Sequence, residues 1–164
     1  MPEPYPKMET PFAKLLARLA DAGVQFVVVG GVAVALNGYV RLTEDVDILA
    51  EDSPSNLQRL LECLAGFGEG FARELSVSDF SDDEGAIRIV EETESCMIDI
   101  FTRMRGVKYA EVANDAISSE VNGRKFLHAS RATLIRLKSG SAREKDILDI
   151  AALRQLEQNP RAFD

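Results

Sequence analysis

Apolar positions along the chain fall into two rhythms. Phe12, Leu15, Leu16 and Leu19 recur at the three-and-four spacing of a helix buried along one face. Thr10-Pro11 starts that helix, with a hydroxyl followed by proline at the first helical position, and Gly23 stops it. Phe26-Val27-Val28-Val29 is then a continuous apolar run, expected of a strand covered on both faces. Gly30-Gly31 ends it, residues 32–37 predict a short helix closed by Gly38, and residues 46–50 predict a second strand. Ser53-Pro54 repeats the cap-plus-proline start, with Leu57, Leu60, Leu61 and Leu64 on one helical face.

The pattern blurs over residues 67–84, rich in Gly, Ser and Asp, where irregular chain with at most a short strand is expected. Residues 86–90 and 96–102 predict strands joined by a turn over 91–95, hence an antiparallel hairpin. Residues 108–116 predict a helix. Asn122-Gly123 predicts a tight hairpin between strands at 117–121 and 125–127. Ser130 caps a helix carrying Leu134, Ile135 and Leu137. Ser141-Ala142-Arg143-Glu144 is a capping-box pattern opening a last helix, with Ile147, Leu148, Ile150, Ala151 and Leu153 as its apolar positions. Strands in the middle and helices around them give an α+β class: a mixed β-sheet with flanking helices and a C-terminal helical segment. The expected organisation is a flexible N-terminal tail (1–9), an α/β core (10–129) and C-terminal helices (130–164) packed on the same domain.

Composition narrows the picture. A length of 164 residues suits one domain, and 46% hydrophobic content can build a substantial core. The start of the chain lacks the basic and apolar segments of a leader. The longest apolar stretch, residues 25–36, is too short for a bilayer and broken by two glycines. A cytoplasmic protein without a membrane partner is expected. Cys63 and Cys96 are too far apart in sequence to suggest a metal-binding pair, so reduced buried thiols are expected. His128 is the sole histidine, which leaves little for a zinc site or a Ser-His-Asp triad, and a structural role is expected. The net charge of −8 argues against indiscriminate nucleic-acid binding. Residues 103–145 nevertheless hold ten basic side chains against four acidic ones, which suits either a phosphate-facing surface or ordinary solvated helix faces.

The chemistry concentrates in residues 30–48. Side chains alternate along a strand, so Asp45 and Asp47 share one face while Val46 and Ile48 share the other. Asp99, between Ile98 and Ile100, has the same setting. If the two strands are neighbours, three carboxylates converge and raise one another's pKa. A divalent cation removes that cost: Mg²⁺ takes oxygen ligands, often one or two carboxylates plus substrate phosphates, and two such ions clamp a phosphoryl displacement. Gly30-Gly31, at a strand-to-helix junction, lets backbone approach a triphosphate beside a helix N-terminus. Strand, double glycine, helix, then a strand with two acids is a coherent site for a metal-bound triphosphate. Gly30-Gly31-Val-Ala-Val is not the Gly-x-Gly-x-x-Gly of a dinucleotide binder, which disfavours that reading.

Gly30-Gly31, thirteen residues, then Asp45-Val46-Asp47 resembles the signature of the DNA polymerase beta nucleotidyltransferase superfamily. With Ala33, Gly38, Arg41 and Thr43, the pattern is most similar to the small bacterial AbiEii/AbiGii toxin-type nucleotidyltransferases. The segment from Leu134 through Lys138, Arg143, Lys145, Asp146 and Asp149 resembles that group's ending. The resemblance implies a nucleotidyltransferase-like fold and metal binding by Asp45, Asp47 and Asp99, which would form the catalytic set. Asp99 would also help to deprotonate the acceptor hydroxyl. It further implies nucleotide binding by Gly30, Gly31, Arg41, Thr43 and Lys138. The implied cofactor is Mg²⁺, one or two ions, with Mn²⁺ able to substitute. The implied partners are an NTP such as ATP, an acceptor (RNA, protein or small molecule), and a cognate antitoxin or a second copy of the chain. Many superfamily members carry Ser where this chain has Gly31. Asp146 and Asp149, three apart on a helix, are read as ion-pair partners docking it, with Arg41 or Arg143 opposite, rather than as catalysts. The expected activity is NMP transfer from an NTP to a hydroxyl; the alternative is a catalytically silent nucleotide- or partner-binding regulator on the same fold.

Overall fold

In the computed structural model, the structure describes residues 10–43, 45–66, 71–80, 85–91 and 96–164. The tail over 1–9 and the turn over 92–95 lie outside them. Among the described residues, six α-helices and six strands follow one another. They are α1 (Thr10–Asp21), β1 (Phe26–Val29), α2 (Gly30–Leu36), β2 (Asp45–Ala50), α3 (Pro54–Leu64), β3 (Ile87–Glu91), β4 (Cys96–Phe101), α4 (Tyr109–Ala113), β5 (Ile117–Val121), β6 (Arg124–His128), α5 (Arg131–Lys138) and α6 (Glu144–Gln158). Two short 3-10 turns, Phe71–Glu74 and Val77–Asp79, occupy the described part of the stretch that is hard to read in sequence.

The strands form one mixed sheet in the order β3-β4-β2-β1-β6-β5. The pairs β3/β4, β2/β1 and β6/β5 are antiparallel; β4/β2 and β1/β6 are parallel. β1 lies in the middle with every residue buried, as its unbroken apolar run requires. Phe12, Leu15, Leu16 and Leu19 of α1 join Leu57, Leu60 and Leu64 of α3 in one core cluster with Ile48, Ile98 and Ile100. Each such side chain stabilises the fold by about 1.5–3 kcal/mol through area removed from water. The Ser53 hydroxyl caps α3 by accepting from the Asn56 amide at 3.3 Å. Asn56, buried at 2% exposure, accepts from the Gln25 N–H and donates to the carbonyls of Gln25 and Glu51, closing the far end of the β1–β2 pair.

Three local expectations are corrected. α2 starts on Gly30 itself, directly out of β1, so no separate turn intervenes. The capping box at 141–144 does not form. Ser141 accepts from the Arg143 amide and donates to Asp146 Oδ2 instead, because Asp146 rather than Glu144 faces inward. On α6 the buried positions are Asp149, Ala152, Leu153 and Leu156, while Ile147 and Leu148 are about half exposed. Arg131 bridges the carbonyls of Asn37 and Leu156, tying α2 and α6 together through α5. Cys96 is buried, Cys63 half-buried, and neither forms a disulfide. His128 is buried beside Ser119, its Nδ1 2.7 Å from the hydroxyl, and burial lowers its pKa to about 4. It stays neutral in the core.

Candidate active site

β2 and β4 run parallel with Asp47 directly opposite Asp99 and Asp45 opposite Met97. Because alternate residues share a face, Asp45 stands beside that pair on the same side of the sheet. One carboxylate oxygen from each of Asp45, Asp47 and Asp99 lies within 4.8 Å of the others. The convergence expected from two neighbouring strands is therefore present. These acids line a cleft shared with Gly30, Gly31, Arg41, Thr43 and Lys138, so the residues expected to bind metal and nucleotide lie around one place.

The electrostatics are uneven within the trio. Burial, followed by repulsion from Asp45 and Asp99, raises Asp47 to about 7. Burial and contact with Asp99 also raise Asp45. Asp99 is held below the usual carboxylate range by hydrogen bonds from Arg88. Oxygen-only donors crowded in this way suit a hard divalent cation such as Mg²⁺ or Mn²⁺, and such an ion would relieve the strain on Asp47.

The double glycine is explained by contact distances. Gly30 has φ +69° and a Cβ there would lie 2.1 Å from Asp47 Oδ2, so both the backbone conformation and the nearness of the acid demand glycine. At Gly31 a Cβ would lie 2.6 Å from Thr43 Cγ2 and 3.0 Å from Arg41 Nη2. Gly31 is thus crowded by the Arg41 and Thr43 side chains.

Arg41 and Lys138 line the cleft already paired. Arg41 Nε and Nη2 donate to Asp149 Oδ1 and Oδ2 at 2.8 and 2.7 Å, which raises the guanidinium pKa. Lys138 Nζ lies 3.0 Å from Asp146 and 3.1 Å from Asp149. Burial pushes Asp146 up, but the Ser141 hydroxyl and Lys138 outweigh it and hold the carboxyl below its ordinary value. Asp149 is fully buried. The docking role read for Asp146 and Asp149 is thus met by Arg41 and Lys138, not by Arg143.

Sequence reasoning missed Arg88. It sits opposite Asp99 in the β3/β4 register and donates from Nε and Nη2 to both Asp99 oxygens at 2.7 and 2.8 Å, with Nη2 also 3.4 Å from Asp45. The hairpin expectation came close to the signal, since a turn over 91–95 pairs 88 with 98, one residue out of the observed register. Arg143 and Lys145 also line the cleft and enter none of the ion pairs found among the described residues.

A mixed six-stranded sheet presenting three strand-borne aspartates beside a strand-to-helix double glycine defines a nucleotidyltransferase-like α+β protein. The chain belongs to the family described as nucleotidyl transferase of unknown function (DUF2204), whose model matches residues 9–163, and it is a nucleotidyltransferase. Among solved structures it is similar to the lincosamide antibiotic adenylyltransferase LnuA in its lincomycin-bound form. The identity is 18% and the TM-score 0.59, covering 91% of this chain and 98% of that one. It is also similar to an antigenic nucleotidyltransferase-like protein from Paracoccidioides brasiliensis. There the identity is 20% and the TM-score 0.50, covering 91% of this chain and 78% of that one. At these identities the likeness is one of fold. No curated protein matches the chain significantly. Among the described residues no helix is long and apolar enough to cross a membrane.

Proposed function

We propose that the protein transfers a nucleoside monophosphate from an NTP to a hydroxyl acceptor in a reaction that depends on Mg²⁺. Asp45, Asp47 and Asp99 are the metal ligands and catalytic set. The observation that carries this reading is the crowding of three carboxylates at the wall of a cleft whose remaining lining is largely cationic. When bound, the divalent ion supplies charge stabilisation for the displacement at phosphorus. The acceptor oxygen forms a bond to the α-phosphorus, the bond to the bridging oxygen breaks, and pyrophosphate leaves. The acceptor gives up its proton to the Asp99 carboxylate. Asp99 is the trio member whose pKa is lowered, by hydrogen bonds from Arg88, which favours the charged form a proton acceptor starts in and makes it a weak base.

Gly30 and Gly31 let backbone lie against the phosphates, and Thr43 adds a hydroxyl near them. Arg41 and Lys138, held by Asp149 and Asp146, supply fixed positive ends rather than free charges. Such preorganised groups cost no reorganisation during reaction. A labelled NTP incubated with Mg²⁺ and a panel of acceptors tests the proposal. Small hydroxyl compounds come first, lincosamides among them because of the LnuA fold likeness, followed by RNA and protein. Transfer with pyrophosphate release is expected. Absence of both transfer and metal-dependent NTP binding would refute it.

The AbiEii/AbiGii-type resemblance adds a finer possibility: a toxin-like role with a cognate antitoxin or a homodimer as partner. Growth arrest on expression of the native chain but not of Asp47→Asn would support it. The occupied Asp99 favours the silent-regulator alternative to the extent that Arg88 stays in place, and calorimetry showing NTP binding without turnover would select that reading.

A further inference from the structure

We infer that Arg88 is a positioning residue that stands in for a cation in the metal-free site and competes with the divalent ion for Asp99. The inference rests on the metal-site reading above. Arg88 reaches the trio from β3, the edge strand of the sheet, and its side chain is 52% exposed. It nevertheless takes both oxygens of Asp99 in a fork at 2.7 and 2.8 Å and extends to Asp45 at 3.4 Å. The bidentate geometry is that of a guanidinium matched to a carboxylate. A positive charge so placed partly neutralises the group that would otherwise attract a metal. The fork fixes the orientation of the Asp99 carboxylate, one oxygen of which lies within 4.8 Å of an oxygen from each of Asp45 and Asp47.

The consequence is an order of events. A free cation approaching the trio meets the guanidinium's repulsion and must displace at least part of the fork to take Asp99. A cation arriving with a triphosphate brings negative charge that gives Arg88 a second partner. The site is thereby biased toward the metal–nucleotide complex over the bare metal.

Titration of Mn²⁺ alone, without nucleotide, followed by electron paramagnetic resonance, tests this on the native chain and on Arg88→Met, Arg88→Gln, Arg88→Lys and Asp45→Asn. Circular dichroism checks the fold of each. Arg88→Met is expected to bind Mn²⁺ about tenfold more tightly, since one like charge has been removed. Arg88→Gln, which keeps a donor for Asp99 and the strand's shape, carries the same expectation if the methionine variant fails to fold. Arg88→Lys keeps the charge without the fork and is expected to stay within about threefold of native. Asp45→Asn is expected to lose the site. If the native chain binds, Asp45→Asn does not, and the neutral Arg88 variants bind equally or more weakly, the competition is overturned and the metal site stands. Likewise, if Arg88→Lys binds Mn²⁺ as tightly as Arg88→Met, the positive charge is not what holds the ion off, and the inference that Arg88 stands in for a cation is overturned. If the native chain, Asp45→Asn and the neutral Arg88 variants all show no site, both inferences fall together.

Discussion

Two charged regions face the same cleft and are built on opposite principles. Around Arg41, Lys138, Asp146 and Asp149, two cations meet two anions at 2.7–3.1 Å, with Asp149 fully buried. On β2 and β4, three aspartates crowd together with one half-exposed arginine as counter-charge, and Asp47 is raised to about 7. The first region is satisfied within the fold and ties α6 to the loop ahead of β2. The second holds unrelieved repulsion, which a native state retains where a ligand is to relieve it, at some cost in stability. Charge density alone does not distinguish a binding site from a brace; the balance of charges does.

The largest effect that would break this contrast is on activity. Asp47→Asn should cut NMP transfer about 10³-fold or more, equivalent to about 4 kcal/mol of barrier, while leaving the melting temperature at pH 8 unchanged or higher. A labelled-NTP assay beside a thermal melt reads both, and a variant that melts early but still transfers would reverse the assignment. Asp149→Asn should do the opposite. It strips Arg41 and Lys138 of their shared buried partner and should cost about 3–5 kcal/mol of stability, or a fall of roughly 10 °C in melting temperature.

Acidity separates the two regions by sign. Asp47 has a folded pKa of about 7 against an ordinary 3.8, so between those values the folded chain binds the extra proton. Its contribution to stability therefore falls as pH rises through that window. Asp146 is held below its ordinary value, so its contribution is present above the ordinary carboxylate range and is lost as pH falls through it. Urea unfolding at pH 5 and pH 8 should show the native chain losing on the order of 2 kcal/mol relative to Asp47→Asn as pH rises. Saturating Mg²⁺ should narrow that gap. Parallel pH curves for the two chains would mean that the repulsion is absent.

The smallest test falls where the regions touch. Gly31→Ser places a side chain against Thr43 and the Arg41 guanidinium. It should cost about 1–2 kcal/mol through overpacking, read as a lower melting temperature. A neutral or stabilising result would show that the 41–43 segment yields easily and is not braced by Asp149.

Much of the site was legible because its parts are local. Asp45 and Asp47 share a face by the period of a strand, and Ile98-Asp99-Ile100 repeats that pattern on its own. The Ser53-Pro54 start, the Asn122-Gly123 hairpin and the apolar run of β1 each state their element within a few residues. Arg88 was less visible because its importance lies in a cross-strand register, not in its neighbours. The last helix misled because Ile147 and Leu148 look like core positions, whereas the helix turns Asp149 inward to meet an arginine 108 residues away.

By itself the sequence determined the elements, the buried faces of α1 and α3, the double glycine and the three acids, all of which follow from sterics and side-chain period over short spans. Only the tertiary structure decided that β2 lies between β4 and β1 and that β6 adjoins β1, that Asp47 faces Asp99, that Arg88 lies across them, and that Arg41 and Lys138 are already paired. Those facts depend on which distant surfaces fit together when the core closes. Short-range periodicity carries no information about that choice.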